Sequence, residues 1–91
     1  MSQTIDKDVK IVNKFGLHAR PAMKLVETAN KYSCDIQVAK GDLKVDAKSI
    51  MSVMRLAATK DSIVSISATG DDAKEAVNAL SELIESGFGE L

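Results

Sequence analysis

Residues 16–22 read Gly16-Leu17-His18-Ala19-Arg20-Pro21-Ala22. This stretch follows a short strand-like run that contains Val9 and Ile11. It precedes apolar residues spaced as on one face of an amphipathic helix: Ala22, Leu25, Val26 and Ala29. We therefore predict a helix from about Ala19 to Lys31. Pro21 fits this prediction, because a proline in the first turn of a helix removes no helical hydrogen bond.

The predicted helix start places His18 where an anion is favoured. The first backbone N–H groups of a helix have no partner inside it, and the helix dipole adds positive potential. The backbone N–H groups of Ala19 and Arg20, with the Arg20 guanidinium, form a candidate phosphate site. Imidazole is the side chain that serves as a nucleophile near neutral pH without a separate base, and His18 is the one histidine of the chain. The sequence thus predicts a histidine that accepts and returns a phosphoryl group.

Length and charge limit the other functions. The 91 residues predict one domain over residues 1–91, which is too small to enclose a deep substrate cavity. A formal net charge of −1, scattered Lys and Arg, and few aromatic residues argue against nucleic-acid binding. There is no apolar run of membrane-spanning length and no secretory signal pattern. We therefore expect a cytoplasmic monomer that is not inserted in a membrane.

Cys34 is the one cysteine of the sequence. It cannot form an internal disulfide, and with a single histidine it cannot complete a zinc site. We interpret it as a small, partly buried thiol at the start of a strand, and we expect no metal and no cofactor.

The rest of the chain predicts three more strands and two more helices. Alternating residues over 35–39 and 43–46 predict a hairpin around Lys40-Gly41-Asp42. Ser49 is placed to cap a short helix whose apolar residues run from Ile50 to Ala57, and the β-branched run at residues 63–68 predicts the fourth strand. Residues 69–72 supply caps for a last helix, which Gly87 ends. Its apolar face consists of Ala73, Ala76, Val77, Leu80, Leu83 and Ile84.

Together these elements predict an α+β fold. A four-stranded, mainly antiparallel sheet would be covered on one face by two long helices and one short helix. The other face would be exposed to solvent. It would carry the polar strand residues Asp35, Gln37, Lys44, Ser65 and Ser67.

Two motifs resemble those of a known family, HPr, the histidine-containing phosphocarrier of the bacterial phosphoenolpyruvate-dependent phosphotransferase system. Residues 16–22 resemble its phosphorylation motif, and Ala47-Lys48-Ser49-Ile50-Met51 resembles its regulatory serine motif. The turn at residues 68–71 and the ending at residues 86–90 are also similar. The resemblance runs from the first strand to the C-terminus.

This resemblance implies an open-faced β-sandwich and a carrier rather than an enzyme. It implies that enzyme I phosphorylates His18 on Nδ1 at the expense of phosphoenolpyruvate, and that the A component of sugar permeases receives the group. It further implies phosphorylation of Ser49 by an HPr serine kinase/phosphorylase, with a transcriptional regulator as a further partner.

Three features depart from the family pattern or point to a different branch of it. Asp46 stands where Asn is common, and its carboxylate would repel a phosphate on Ser49. Residues 57–61 lack the glycines that are usual before the last strand. Asn13-Lys14 and residues 21–25 are similar to the nitrogen-related paralogue, so a nitrogen-branch or purely regulatory carrier is the alternative to a sugar carrier.

We also predict an exposed apolar patch for partner docking, because the short helix cannot bury all its sides and Met adapts to different partners. Its members are Phe15, Leu17, Ile50, Met51 and Met54. Two other functions stay open. One is a binding module controlled by the state of Ser49. The other is a small hydrolase of acylphosphatase-like architecture, which would need a second catalytic polar group that residues 16–22 do not provide.

Overall fold

The computed structural model describes residues 3–90. Its elements in chain order are β1 (Gln3–Lys10), α1 (Ala19–Ala29), β2 (Asp35–Lys40), β3 (Leu43–Asp46), α2 (Ile50–Met54), β4 (Ile63–Gly70) and α3 (Ala73–Glu85), followed by a 3₁₀ turn at Gly87–Gly89. This order confirms the predicted α+β fold. None of the helices in residues 3–90 combines the length and apolar character needed to cross a membrane.

The sheet has the strand order β1-β4-β2-β3, and each neighbouring pair is antiparallel. β4 lies between β1 and β2, and β1 is an edge strand. The sequence prediction found only the end of β1 at Val9 and missed residues 3–8, because these are mostly polar; Ile11 lies just beyond the strand. The register explains this composition: Asp6 pairs with Ser67 and Asp8 with Ser65 on the exposed face of the sheet. An edge strand with one exposed face tolerates such residues.

The core lies between the sheet and the helices. Val38, Val64 and Ile66 of the sheet are fully buried, as are Leu25 of α1 and Leu80 of α3. Burial of each such side chain contributes about 1.5–3 kcal/mol to folding. On the opposite face, Asp35, Gln37 and Lys44 are exposed, as predicted, while Ser65 and Ser67 are half-buried.

The structure corrects several predicted helix boundaries and caps. α1 ends at Ala29, before Lys31, and α2 ends at Met54. Thr69 lies in β4, so it does not cap α3. Asp72 stands at the N-cap of α3, but its side chain makes no capping bond. Instead, its carboxylate accepts the backbone N–H groups of Ser33 at 2.9 Å and Cys34 at 3.0 Å.

Candidate functional site

His18 is the N-cap residue of α1, as the sequence predicted. Its backbone is extended, its side chain does not cap the helix, and its carbonyl accepts the N–H of Ala22 at 3.0 Å. The His18 side chain is 41% exposed. No hydrogen bond formed within residues 3–90 uses the backbone N–H of Ala19 or Arg20. An accessible imidazole therefore lies at the positive end of a helix beside two free donors.

The loop before α1 is held by the loop that follows α2. Gly16 has a φ of +64°, a conformation that favours glycine. A Cβ at this position would lie 2.8 Å from the Cα of Thr59 and would also clash with the Ala58 carbonyl. The Leu17 N–H donates to that same carbonyl at 2.9 Å. These contacts fix the backbone that leads into His18.

Glu90 contacts the His18 ring. Nε2 of His18 lies 3.2 Å from Oε2 and 3.4 Å from Oε1 of Glu90. Nδ2 of buried Asn13 donates to Oε1 of Glu90 at 3.0 Å and to the Gly16 carbonyl at 2.8 Å. Burial raises the pKa of the Glu90 carboxyl, but the hydrogen bonds from Asn13 and His18 and the charges of His18 and Lys24 together lower it, so the pKa lies below its ordinary value. The carboxylate is therefore ionised at neutral pH.

The C-terminal segment is anchored independently of this contact. Phe88 is fully buried, and Nζ of Lys24 on α1 donates to the Phe88 carbonyl at 2.6 Å. These two contacts bring Glu90 to His18 across 72 positions of sequence. Sequence reasoning missed Glu90 and Asn13 as site residues, and the only signal was the family-like ending at residues 86–90.

Arg20 is exposed in the first turn of α1. It takes part in no ion pair with another residue of the described range 3–90. A cation in this position opposes the helix dipole unless an anion is bound. The guanidinium is thus available to an anion near His18.

The predicted apolar patch is exposed on the loop before α1 and on α2, but one predicted member is wrong. Phe15 is 70% exposed and meets the His18 ring edge-to-face, with 6.0 Å between the ring centroids. Met51 is 76% exposed, and Ile50 and Met54 are partly exposed. Leu17 is 3% exposed, because its side chain belongs to the hydrophobic core and its backbone is tied to Ala58. Leu17 therefore offers no side-chain surface to a partner.

Met23 belongs to this surface although the sequence did not predict it. It is 53% exposed on α1 and lines an open apolar groove with Val26, Glu27 and Ile50. We define the docking surface as Phe15, Met23, Ile50, Met51 and Met54.

Ser49 caps α2, as predicted: its Oγ accepts the N–H of Ser52 at 3.4 Å. It does not lie beside His18. Nδ2 of Asn30, at the C-terminal end of α1, donates to the Lys48 carbonyl at 3.2 Å, which places Ser49 at the opposite end of α1 from His18. The 11-residue helix between these two ends is about 16 Å long. Oδ1 of Asp46 accepts the N–H of Lys48 at 2.9 Å.

Cys34 lies directly before β2, as predicted, but it is buried rather than partly buried. Burial, together with the Asp72 carboxylate, raises the pKa of the thiol to about 11. In the part of the chain that the structure describes, no three His, Cys, Asp or Glu side chains are arranged to hold a metal ion.

Comparison with known proteins finds a matching family model and relatives that carry the same family name. A family model described as "PTS HPr component phosphorylation site" matches residues 5–86. The phosphocarrier protein HPr of Neisseria meningitidis serogroup A is 41% identical, and the match covers 94% of this chain and 97% of the relative. HPr of Pseudomonas aeruginosa is 45% identical, over 91% of this chain and 93% of the relative.

The fold is shared as well. A crystal structure of HPr-C-His from Thermoanaerobacter tengcongensis has a TM-score of 0.92 and 50% identity, covering 96% of this chain and 98% of that chain. HPr from Bacillus anthracis has a TM-score of 0.86 and 41% identity, covering 89% and 96% respectively.

Proposed function

The chain belongs to the HPr family of phosphotransferase-system phosphocarriers, and on that premise we propose that His18 carries the phosphoryl group. Enzyme I, charged by phosphoenolpyruvate, donates the group to His18, and the A component of a sugar permease receives it. The observation that carries this proposal is the exposed imidazole at the N-cap of α1 beside the free N–H groups of Ala19 and Arg20. We further propose that residues 1–91 form one cytoplasmic, monomeric domain.

To transfer a phosphoryl group, a protein mainly has to position the reacting atoms and stabilise the charge on the phosphoryl oxygens. We propose that Nδ1 of His18 attacks phosphorus, because Nε2 is engaged by Glu90. The bond between phosphorus and the donor nitrogen breaks, and its electron pair stays with the donor. The N–H groups of Ala19 and Arg20 and the Arg20 guanidinium stabilise the phosphoryl oxygens. The second transfer reverses these steps toward the acceptor.

Both partners dock in turn on the docking surface beside His18. Exposed Phe15 and Met51 support this role, since a carrier must bind several partners through one modest face and release each. Flexible methionine side chains repack against different surfaces at little cost.

Ser49 is the proposed regulatory site for an HPr serine kinase/phosphorylase, and a transcriptional regulator would recognise the modified form. A phosphate there would lie at the other end of α1 from His18. We propose that it acts by repelling acidic partner surfaces rather than by direct contact with the phosphohistidine. Asp46 is bonded to the Lys48 N–H, so its carboxylate is close to Ser49 and opposes the modification.

A regulatory or nitrogen-branch carrier is the second candidate, favoured by Asn13-Lys14 and residues 21–25. The hydrolase alternative is wrong, because the chain belongs to a family of carriers. Glu90 does place a second polar group beside His18, which residues 16–22 do not provide.

The test follows labelled phosphate from phosphoenolpyruvate through enzyme I to the protein and then to acceptors. The sugar function predicts transfer to the A component of a sugar permease. Transfer only to a nitrogen-type acceptor would select the second candidate, and label retained by His18→Ala would overturn both.

A further inference from the structure

The His18–Glu90 contact is not needed to anchor the C-terminal segment, because Phe88 and Lys24 do so. We infer that Glu90 is a positioning residue that keeps a proton on Nε2 of His18, which reserves Nδ1 for the phosphoryl group and preserves a cationic ring in the phosphorylated state. The second part of this inference rests on the proposed function.

The geometry assigns the ring proton. Both oxygens of the Glu90 carboxylate face Nε2, at 3.2 and 3.4 Å. An ionised carboxylate only accepts hydrogen bonds, so Nε2 must be the donor and must carry the proton. A neutral imidazole has one N–H, and the lone pair then lies on Nδ1. No hydrogen bond among residues 3–90 occupies Nδ1.

Asn13 holds the Glu90 carboxylate in place. Its amide is fully buried, and Nδ2 donates to both the Gly16 carbonyl and the Glu90 carboxylate. Two acceptors on one amide nitrogen determine the amide orientation. The loop before α1 therefore holds the carboxylate that orients the ring, in the manner of a carboxylate that fixes a histidine tautomer.

The charge balance of the transfer gives Glu90 its second role. When the Nδ1 lone pair forms the bond to phosphorus, Nε2 keeps its proton and the ring becomes positively charged. The Glu90 carboxylate neutralises that charge. In onward transfer the N–P bond breaks, its electron pair returns to Nδ1, and a neutral imidazole leaves. Loss of the Nε2 proton would instead require an anionic ring to leave, which is slower.

Three cations lie in the same part of the molecule. Lys24 donates to the carbonyl of Phe88, two residues before Glu90, and Arg20 lies two residues after His18. Nζ of Lys14 lies 5.4 Å from the centre of the Phe15 ring, which meets His18. All three remain in every variant compared below, so an effect of losing Glu90 is not an effect of changing these charges.

The first experiment needs no partner protein. Phosphoramidate, a small donor that releases ammonia as it phosphorylates imidazole, is reacted with wild type, Glu90→Ala and the control Glu82→Ala. Glu82 is an exposed acid on α3 away from this contact. Phosphorus and nitrogen NMR identify the modified atom. We expect Nδ1 alone in wild type and Glu82→Ala, and a mixture with Nε2 in Glu90→Ala. The same product in all three proteins would overturn the tautomer role.

The second experiment measures hydrolysis of the phosphorylated proteins against pH. The Glu90 carboxylate stabilises the positive charge of the phosphorylated ring, so the acid limb of the profile in Glu90→Ala should lie at lower pH than in wild type. High salt should shrink the difference. An acid limb at the same pH in wild type, Glu82→Ala and Glu90→Ala would overturn this role. Failure of enzyme I to phosphorylate wild type would instead refute the proposed function, and the phosphoramidate result would stand separately.

Discussion

The backbone N–H of Leu17 donates to the Ala58 carbonyl at 2.9 Å, so the loop that presents His18 rests on the loop that leads into β4. Gly16 lies against the same carbonyl. The position of the candidate phosphoryl acceptor thus depends on a segment of residues that take no part in the chemistry.

Gly16→Ala should destabilise the protein strongly. The added Cβ would meet Ala58 and Thr59 in a backbone with φ of +64°, so we expect a loss of about 2–4 kcal/mol in unfolding free energy. Gly41→Ala is the matched control, because Gly41 has a similar φ of +59° and no atom within 4 Å of the added Cβ. It should lose only about 1 kcal/mol. Equal losses in urea denaturation would contradict the role of this contact.

Ala57→Gly should stabilise the protein. Ala57 and Asp61 have φ of +47° and +75°, so they adopt the conformation that the family's usual glycines take without strain. Relief of this strain exceeds the added entropy of the unfolded chain, and we expect a gain of about 0.5–1 kcal/mol. Ala79→Gly within α3 should instead lose about 1 kcal/mol. A loss in both variants by thermal unfolding would show that Ala57 is unstrained.

Asp72 should make folding sensitive to acid. The hydrogen bond from the Ser33 N–H, with those from Cys34, lowers the pKa of the Asp72 carboxyl in the folded state. Its contribution to stability is therefore complete above the unfolded pKa and is lost as pH falls through the lower folded value. The stability difference between wild type and Asp72→Asn should be largest near neutral pH and shrink below about pH 4. Asp71→Asn serves as the neighbouring control. A difference that is constant with pH would contradict this prediction.

The Cys34 thiol should be unreactive in the folded protein. Burial and Asp72 raise its pKa to about 11, so little thiolate forms near pH 8 and reagents have little access. Iodoacetamide should modify the native protein at least about tenfold more slowly than the urea-unfolded protein. Rapid modification without unfolding would show that the segment around Cys34 opens.

Alanine substitutions at Leu17 and Met51 should separate an effect on stability from an effect on partner docking. Leu17→Ala removes a core side chain and should cost about 2–5 kcal/mol of stability. Met51→Ala removes an exposed side chain, so stability should change by less than about 0.5 kcal/mol. The KM for this protein in the enzyme I reaction should rise in Met51→Ala. An unchanged KM would remove Met51 from the docking surface.

The sequence was informative where local chemistry decides the outcome. The helical spacing after residue 18, the Ser49 cap and the alternation in β2 and β3 all predict what the structure contains. The sequence was less informative where contacts with residues far along the chain determine secondary structure or burial. Residues 3–8 of β1 form a strand by pairing with β4, and Leu17 is a core residue whose backbone is bonded to the later Ala58.

The site shows the same division. His18 and the free helix donors follow from one short stretch, whereas Glu90 reaches the ring through the burial of Phe88 and the hydrogen bond from Lys24. Asn13 is a buried polar residue whose Nδ2 donates to the Gly16 carbonyl and to the Glu90 carboxylate. Spacing alone predicts neither of these contacts.

The most direct test of the account is the site of phosphorylation. Wild-type protein, enzyme I and phosphoenolpyruvate labelled with phosphorus-32 are incubated together, and the label on the protein is measured beside that on His18→Ala. We expect one acid-labile phosphoryl group on wild type and no label on the variant. A stable label, or an equal label on both proteins, would contradict it.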